Sequence, residues 1–430
     1  MRAKLHMSRL LRSDFVRHSA LVFAATMLIN VLNYVFNFVL SRRLGVEHYA
    51  TLAALVGIIM ILSIPGTAIN LIAVKYGAEY HALGDVPRLR RLSTKMFGLT
   101  GIVAGACFII GILLQSRIAA FLKIENDFAL TAMLAVVALG VVAPSARGVL
   151  QGCQDFRRLS VSTAVEALLK LVLAVALVAL GYGVRGAMSG WLLGTAIALA
   201  YAIFAVRIHF GERGAVVRLS LETRTLINTI GGVTAVTAIL TLMSFMDVVL
   251  VKHYFSAHDA GIYSAANLTG KIVLFVVGFL PTVLLPKVIA TAKRGEAPLG
   301  LLGQAVLSCT LILALILIAF SVRPAFIVSI VAGKAFVDAA PYVLQYDVAM
   351  GLLALLSIIV NFRIALHRFD FIVPLALVLG AEIVAIALHH ATLTDVIHVL
   401  IVGNAVAIAV SCLGLRHQAA VTLRVGSEAA

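Results

Sequence analysis

The 430 residues are 62% hydrophobic and 12% charged, with a mean hydropathy of +1.08, whereas a soluble domain is nearer half apolar and a quarter charged. This composition excludes a soluble enzyme with a polar surface and indicates an integral membrane protein with little extramembrane mass. The net charge of +15 is then explained by basic cytoplasmic loops rather than by a nucleic-acid partner.

Apolar stretches of the length that crosses a bilayer, about 20 residues, recur along the whole chain. They predict an all-α membrane protein with twelve transmembrane helices. In chain order the expected spans are 19–41, 49–74, 95–115, 128–148, 160–181, 186–208, 226–251, 261–287, 298–320, 341–361, 371–390 and 394–415.

Basic residues are distributed unevenly over the two sets of loops that these spans create. With the N-terminus in the cytoplasm, about 24 of the 34 Lys and Arg residues lie on the inner side and about 8 on the outer side. The remaining two, Lys170 and Lys271, lie within spans. Because Lys and Arg accumulate on cytoplasmic loops, we expect both termini in the cytoplasm.

The two halves of the chain align with a shift of about 215 residues, which indicates an internal duplication. The matching pairs, each 214 to 216 residues apart, are Asn33 with Asp247, Tyr49 with Tyr263, Arg147 with Arg363, Asp155 with Asp370 and Glu166 with Glu382. Six spans per half is an even number, so the halves share one orientation. Such parallel repeats are typical of secondary transporters, whose substrate cavity lies between the halves.

This repeat predicts the organisation of the chain. The expected parts are a basic cytoplasmic N-terminus (1–18), an N-terminal six-helix bundle (19–208), a cytoplasmic linker (209–225), a C-terminal six-helix bundle (226–415) and a cytoplasmic tail (416–430).

Polar side chains recur at helical spacing inside several spans. A charged side chain at mid-bilayer costs about 2.5–3.5 kcal/mol on insertion scales, so these groups must face a bundle interior or a cavity. They are Asn30, Asn33 and Asn37 in span one, Glu166 and Lys170 in span five, Asp247 in span seven, Asn267 and Lys271 in span eight and Glu382 in span eleven.

Structural roles are the alternative for these residues. The asparagines would then join helices by hydrogen bonds. Glu166 and Lys170, four residues apart, would form an ion pair along one helix, and Asp247 would pair with Lys271. Glu382 has no basic residue nearby in the sequence, which favours a functional role.

Signals of catalysis are missing from the sequence. It contains no GxSxG, Walker A or HExxH motif, and its four cysteines form no CxxC pair. We therefore predict no catalytic residues, cofactor or metal site. We expect any coupling to use an ion or proton gradient, or the supply and removal of substrate.

Two segments carry a family resemblance. They are "NYVFNFVLSRRLGVEHYATLAALVGIIMIL" and "MDVVLVKHYFSAHDAGIYSAANLTGKIVLFVVGFLPTVLLPKV". They resemble spans one and two, and seven and eight, of bacterial polysaccharide-unit flippases. These flippases belong to the multidrug/oligosaccharidyl-lipid/polysaccharide (MOP) exporter superfamily, which includes the MATE transporters.

The resemblance implies a function and a location. Such proteins move undecaprenyl-pyrophosphate-linked sugar units from the cytoplasmic to the periplasmic leaflet of the inner membrane, by alternating access of two six-helix bundles about a central cavity. The implied partners are this lipid-linked glycan, membrane lipids, and a glycan polymerase with its chain-length partner; no nucleic acid is expected.

The resemblance also implies roles for the polar residues. The candidates for contact with the diphosphate and sugars are Lys170, Lys271, Arg147, Arg363, Asn30, Asn33, Asn37 and Asn267. The candidates for ion coupling or gating are Asp247, Glu166 and Glu382. Because Asn33 and Gly57 occupy the positions of Asp247 and Lys271 in the first half, we expect ion or head-group handling mainly in the second half.

Three other functions stay open. An ion-coupled multidrug or organic-cation antiporter of the same superfamily would rely on the intramembrane acids. A membrane-embedded polymerase or glycosyltransferase would need a large outer loop or an acidic metal-binding loop, and the sequence has neither. A scaffold without transport activity is the third.

Overall fold

The computed structural model describes residues 14–125, 128–210, 223–294 and 298–413, and these ranges contain α-helices and no strand. The expected N-terminus, linker and tail lie largely outside the described residues. The helices are α1 (Asp14–Leu62), α2 (Pro65–Ala82), α3 (Val86–Leu122), α4 (Phe128–Gly152), α5 (Phe156–Leu177), α6 (Gly183–Arg207), α7 (Thr223–Tyr254), α8 (Ala257–Val277), α9 (Phe279–Lys293), α10 (Leu299–Val322), α11 (Pro324–Val331), α12 (Ala340–Ala365), α13 (Ile372–Leu388) and α14 (Leu393–Cys412).

The helices accommodate all twelve expected spans. Within the described ranges, nine stretches are long and apolar enough to cross a membrane. Two of these, Ala24–Leu62 and Phe156–Arg207, each contain parts of two expected spans, and the shorter apolar helix Ile372–Leu388 contains the eleventh. The expected span 49–74 is broken near Ser63, since α1 ends at Leu62 and α2 begins at Pro65. The all-α membrane fold is confirmed.

Glycines break the two long stretches between their spans. Gly45 interrupts α1 with φ 75° and ψ 178°. Between α5 and α6 the chain forms a π-helical turn, Val178–Tyr182, in which Gly181 has φ 92°. Residues with a Cβ rarely adopt such positive φ values, whereas glycine adopts them at little cost. Each glycine therefore marks the end of one span and the start of the next.

Exposed leucine and isoleucine side chains mark faces suited to lipid. On α10, Leu307, Leu311, Leu315 and Ile318 are all exposed, and their spacing of four, four and three residues places them on one helix face. Hydrocarbon chains are the solvent that such a face requires, because water would make its exposure unfavourable.

The start of α5 illustrates how polar ends are stabilised outside the spans. The Oδ1 atom of Asp155 accepts a hydrogen bond from the backbone N–H of Arg158 at 3.1 Å. Its Oδ2 atom accepts one from the Arg158 guanidinium and lies 3.0 Å from Nε2 of His209. Burial alone would raise the pKa of this carboxyl, but the hydrogen bonds from Arg158 and His209 outweigh burial and lower the pKa.

Packing divides the chain into two compact units. The first consists of Met1–Leu44 with Leu62–Ile230, and the second of Gly45–Ile61 with Gly231–Ala430. The segment 45–61, which the repeat assigns to the N-terminal bundle, therefore packs within the second unit. The remaining boundary, near residue 230, lies early in α7.

Candidate functional site

Among the described residues of the first unit, Lys170 on α5 is the most deeply buried base. Its ammonium group donates a hydrogen bond to Oδ1 of Asn33 on α1. The Nζ atom also lies 4.7 Å from the ring centroid of Phe36 and 4.4 Å from that of Trp191 on α6. Ring faces attract a cation through their quadrupole. The charge is thus held by an amide oxygen and two aromatic faces.

Close helix packing places Lys170 at the junction of α5 and α6. A Cβ on Gly194 would lie 2.7 Å from the backbone nitrogen of Lys170, so only glycine permits this approach. Small residues commonly allow such close contact between membrane helices. Any larger residue at position 194 would push α6, with Trp191, away from α5.

Glu166 pairs with Arg147 of α4 and not with Lys170. The Arg147 guanidinium donates to Oε2 of Glu166, and the Thr195 hydroxyl donates to Oε1 at 3.0 Å. Arg147 also donates to Oγ of Ser162 at 3.3 Å. The alternative of an ion pair along α5 is therefore wrong, and Arg147 does not extend freely as a binding group.

The three asparagines of span one lie at helical spacing as expected, but they differ in their hydrogen bonds. Asn33 accepts the hydrogen bond of Lys170, and the Asn37 amide donates to the backbone oxygen of Asn33 at 2.9 Å. Asn30 lies one turn earlier and is partly buried. Asn33 thus contacts an intramembrane charge directly.

Asp247 forms the centre of a buried polar cluster in the second unit. Its Oδ2 atom accepts hydrogen bonds from the hydroxyls of Tyr263 at 2.8 Å and Tyr346 at 2.7 Å. The Asn267 amide donates to the hydroxyl oxygen of Tyr346. The Oδ1 atom is buried and has no hydrogen-bond partner in the described part of the chain.

Asp347 is an intramembrane acid that sequence reasoning missed. It lies on α12, is fully buried, and its Oδ1 atom accepts a hydrogen bond from the Thr269 hydroxyl at 3.0 Å. Its Oδ2 atom is buried without a partner among the described residues. The tenth span contains no second charge at helical spacing that would have drawn attention to it, although an acid in an apolar span was itself a signal.

Glu382 on α13 is the third buried acid that the structure describes in the second unit. It is buried, and within the described ranges its Oε2 atom has no hydrogen-bond partner. A Cβ on Gly403 of α14 would lie 2.8 Å from that atom. Glu382 and Asp247 are electrostatic neighbours. The expected Glu382 site is therefore close to the Asp247 cluster.

Lys271 makes fewer side-chain contacts than Lys170, the other lysine within the spans. Its Nζ atom lies 5.2 Å from the ring centroid of Phe245, and it forms no hydrogen bond or ion pair with any residue that the structure describes. Asp247 is an electrostatic neighbour of Lys271, but the two do not form a contact pair. The alternative of a direct Asp247–Lys271 ion pair is therefore wrong.

Arg363 is committed to holding helix ends together. Its guanidinium donates to the backbone oxygen of Ser411 at 2.8 Å, near the end of α14, and to Oδ2 of Asp370 at 2.6 Å. It also lies over the Phe371 ring, 4.7 Å from the centroid. Arg363 is only 1% exposed, so these contacts favour a structural role over binding.

The charged side chains within the spans therefore differ in predominant sign between the two units. Within the spans of the first unit, the bases Arg147 and Lys170 outnumber the single acid Glu166. The second unit buries Asp247, Asp347 and Glu382 and holds the bases Lys271 and Lys252, besides the Arg363–Asp370 pair. The first arrangement suits an anion and the second a cation.

Comparisons with known proteins agree with this description. Residues 15–291 match the family described as "Polysaccharide biosynthesis protein". A search of curated proteins found no match.

Solved membrane transporters share the fold. An inward-facing multidrug resistance MATE family transporter of the MOP superfamily has a TM-score of 0.76 at 14% identity, covering 94% of this chain and 99% of that chain. The lipid II flippase MurJ, in an inward closed conformation, has a TM-score of 0.70 at 12% identity, covering 92% and 87%. An outward-facing MATE transporter has a TM-score of 0.63 at 15% identity, covering 95% of each chain.

The family match covers more than half of the chain and the structural likeness nearly all of it. The protein therefore belongs to the polysaccharide biosynthesis protein family, and it is a multi-pass membrane protein with the fold of MOP-superfamily transporters.

Proposed function

We propose that this protein is a flippase for undecaprenyl-pyrophosphate-linked oligosaccharide or polysaccharide repeat units. It would move them from the cytoplasmic to the periplasmic leaflet of the bacterial inner membrane by alternating access, with both termini in the cytoplasm. Family membership and the fold shared with a lipid II flippase support this cargo class. A glycan polymerase and its chain-length partner would receive the product.

The observation that carries the proposal is a buried ammonium group without a carboxylate partner. Lys170 contacts Asn33 and two aromatic rings, while the nearby Glu166 is bound by Arg147. A charged side chain inside a membrane protein is costly and marks a functional position. A diphosphate or an acidic sugar would supply an anionic partner in direct contact with the ammonium group.

The acids of the second unit support coupling to a cation gradient. Asp247, Asp347 and Glu382 each have one buried oxygen without a partner in the described chain. A buried carboxylate with unsatisfied oxygens is stabilised by taking up a proton or a metal cation. We propose that the second unit carries the coupling cation while the first unit binds the anionic head group.

An ion-coupled antiporter of drugs or organic cations is the second candidate. The acids and tyrosines around Asp247 favour it, because carboxylates and aromatic faces both attract organic cations. The fold shared with a multidrug MATE transporter is consistent with it. In that case Lys170 would be dispensable for transport and Asp247 would contact the cargo.

The deciding experiment follows the cargo directly. The purified protein would be reconstituted in vesicles with a fluorescent undecaprenyl-pyrophosphate-linked glycan, and a membrane-impermeant quencher would report its transfer between leaflets. We expect transfer by the wild type, loss in Lys170→Glu and retention in Lys170→Arg. Equal transfer by Lys170→Glu, or transport of ethidium in place of the glycan, would contradict the flippase.

Folding must be separated from transport in this experiment. Asn30→Ala is the matched control, since it alters the same polar stripe without removing a contact to Lys170. Membrane abundance and thermal stability in detergent would be measured for each variant. A Lys170→Glu protein as abundant as the control but inactive would show that the charge itself is required.

A further inference from the structure

One side of α3 carries basic side chains in line with apolar ones. Arg88, Arg91, Lys95, Leu99 and Ile102 follow one another at steps of three, four, four and three residues. This spacing places all five side chains on one side of the helix. Leu99 is 65% exposed and Ile102 is 73% exposed. The same side of α3 therefore bears bases at its start and exposed apolar side chains further along.

The opposite side of α3 fixes the direction of these side chains. Leu89 and Leu92 are 2% and 3% exposed, and they belong to a hydrophobic cluster of the first unit that includes Tyr76 and Val149. Ser93 is buried on the same side. The basic side is thus turned away from the core of the first unit, toward the hydrocarbon that its exposed leucine and isoleucine require.

Charged residues bracket a part of α3 that has the length of a membrane core. Residues 96–116, between Lys95 and Arg117, contain no charge. At 1.5 Å per residue, these 21 residues rise about 32 Å, close to the hydrocarbon thickness of about 30 Å. Lys95 therefore lies at one boundary of the hydrocarbon, and Arg91 lies one turn beyond it, at the depth of lipid phosphates. The excess of Lys and Arg on the inner side predicts that this is the cytoplasmic boundary.

Two of these positive charges are not neutralised within the described chain. Arg91 and Lys95 form no ion pair with any residue that the structure describes. Arg88 lies 3.1 Å from the carboxylate of Asp85, which also accepts a hydrogen bond from the backbone N–H of Arg88 at 2.9 Å. Asp85 therefore compensates Arg88 and caps the helix, while Arg91 and Lys95 leave two positive charges at the membrane boundary.

The internal repeat indicates that the fold itself does not require these two bases. At the shift of 215 residues, Arg91 and Lys95 correspond to Val306 and Thr310 on α10. That helix also presents exposed leucines to lipid but has no charge at these two positions. The bases are therefore a feature of the first unit alone, which calls for an explanation other than the ending of a span.

We propose that Arg91 and Lys95, with Arg88 beside them, form a binding surface for anionic phospholipids of the cytoplasmic leaflet. The lipid phosphates lie against the bases, and the acyl chains lie along Leu99 and Ile102. Both parts of the surface are then covered, whereas a free phosphate ion would leave the apolar part uncovered. Each base near an anionic membrane surface increases the attraction about fivefold, which corresponds to about 1 kcal/mol.

This surface is separate from the candidate site for the cargo. Lys170 lies on α5 and contacts residues of α1 and α6, whereas the lipid surface belongs to α3. We therefore assign the surface to resident phospholipid and not to the lipid-linked glycan. The assignment holds whichever cargo the protein carries.

A photoreactive residue tests which lipid lies on this surface. Benzoylphenylalanine would replace Leu99 in the full-length protein, in vesicles with equal amounts of phosphatidylglycerol and phosphatidylcholine. After irradiation, mass spectrometry should find about fivefold or more cross-linking to phosphatidylglycerol over phosphatidylcholine. The preference should fall to near parity in R91Q/K95Q. Equal cross-linking of the two lipids with both bases present would overturn the proposal.

A matched variant separates the surface on α3 from the net charge of the protein. R157Q/R207Q also removes two exposed bases from the first unit, at the start of α5 and the end of α6. It should keep the preference for phosphatidylglycerol. If it loses the preference as fully as R91Q/K95Q, net charge accounts for the effect and the assignment to α3 is wrong.

Thermal stability provides a measurement without the photoreactive residue. In detergent, added phosphatidylglycerol should raise the melting temperature of the wild type more than phosphatidylcholine does. The difference should shrink in R91Q/K95Q and at high salt, because salt screens exposed charges. Equal melting temperatures of the wild type with the two lipids would contradict the proposal.

The lipid-linked glycan is the other anionic lipid that the experiment must distinguish. Undecaprenyl-pyrophosphate-linked glycan added to the vesicles should leave the cross-link to phosphatidylglycerol in place. If the glycan lipid is cross-linked at position 99 instead, the surface belongs to the cargo, and the assignment to resident phospholipid is overturned.

Discussion

The ammonium group of Lys170 donates a hydrogen bond to Asn33. In the alignment of the two repeats, Asn33 is the equivalent of Asp247. One repeat thus has a buried base beside an amide, while the other has a buried acid beside two tyrosine hydroxyls. The duplication preserved the polar position and reversed the sign of the charge around it.

Asn33→Asp should give Lys170 a carboxylate partner in place of an amide. We expect an unchanged or increased thermal stability, because the new ion pair compensates a buried charge. Transport should fall by about tenfold or more, since the ammonium would no longer be available to an anionic head group. Flipping of the fluorescent glycan in vesicles measures this. Asn30→Asp, one turn earlier on the same polar stripe, is the control, and an equal loss in both variants would contradict the explanation.

Glu166→Gln should destabilise the first unit, because it leaves the Arg147 guanidinium partly buried without its carboxylate. The side chains are 18% and 21% exposed, so we expect a loss of about 1–3 kcal/mol rather than that of a fully buried pair. Thermal unfolding in detergent measures the loss. The double variant R147Q/E166Q should recover part of it, and strictly additive losses would show that the pair is not coupled.

Asp347→Asn should abolish the dependence of transport on the cation gradient while leaving the fold intact. The amide retains an oxygen for the Thr269 hydroxyl but cannot take up a proton or bind a metal cation as a carboxylate does. Initial rates with imposed pH or Na⁺ gradients measure the effect. Asp370→Asn, which alters an exposed acid in the connection between α12 and α13, is the comparison. A gradient dependence that persists in Asp347→Asn would make Asp347 a structural acid.

Asp155→Asn should reduce stability in a pH-dependent way. The pKa of Asp155 is lowered in the folded protein, so its contribution is complete above the unfolded pKa of about 3.9 and is lost as the pH falls through the folded value. The difference in melting temperature between wild type and variant should be constant at pH 5–6 and shrink below about pH 4.

Asp155→Ala separates the two roles of this residue. Asparagine still caps α5, whereas alanine does not, and losing a cap costs about 1 kcal/mol. The alanine variant should therefore remain less stable than the asparagine variant even at low pH. Identical melting temperatures for the two variants would mean that the cap contributes nothing.

The spans and the positions of the intramembrane polar residues could be predicted from the sequence, because hydropathy and helical spacing are local properties of the chain. The repeat and the family resemblance were equally visible in the residues themselves. Spacing along one helix identifies the face that avoids lipid, and it correctly placed Lys170, Asp247 and Glu382 in the protein interior.

The hydrogen-bond and ion-pair partners of these residues could not be predicted in the same way, because they lie on other helices. Lys170 and Asn33 are 137 residues apart in the chain, and Arg147 was available to Glu166 because α4 packs beside α5. Asp347 was missed because its hydrogen-bond partner Thr269 lies on α8 and reaches it only when α8 packs against α12. Tyr346 likewise meets Asn267 only across these two helices. Which unit holds segment 45–61 was likewise decided by tertiary packing, since a helix with apolar residues on several faces has more than one surface it can cover.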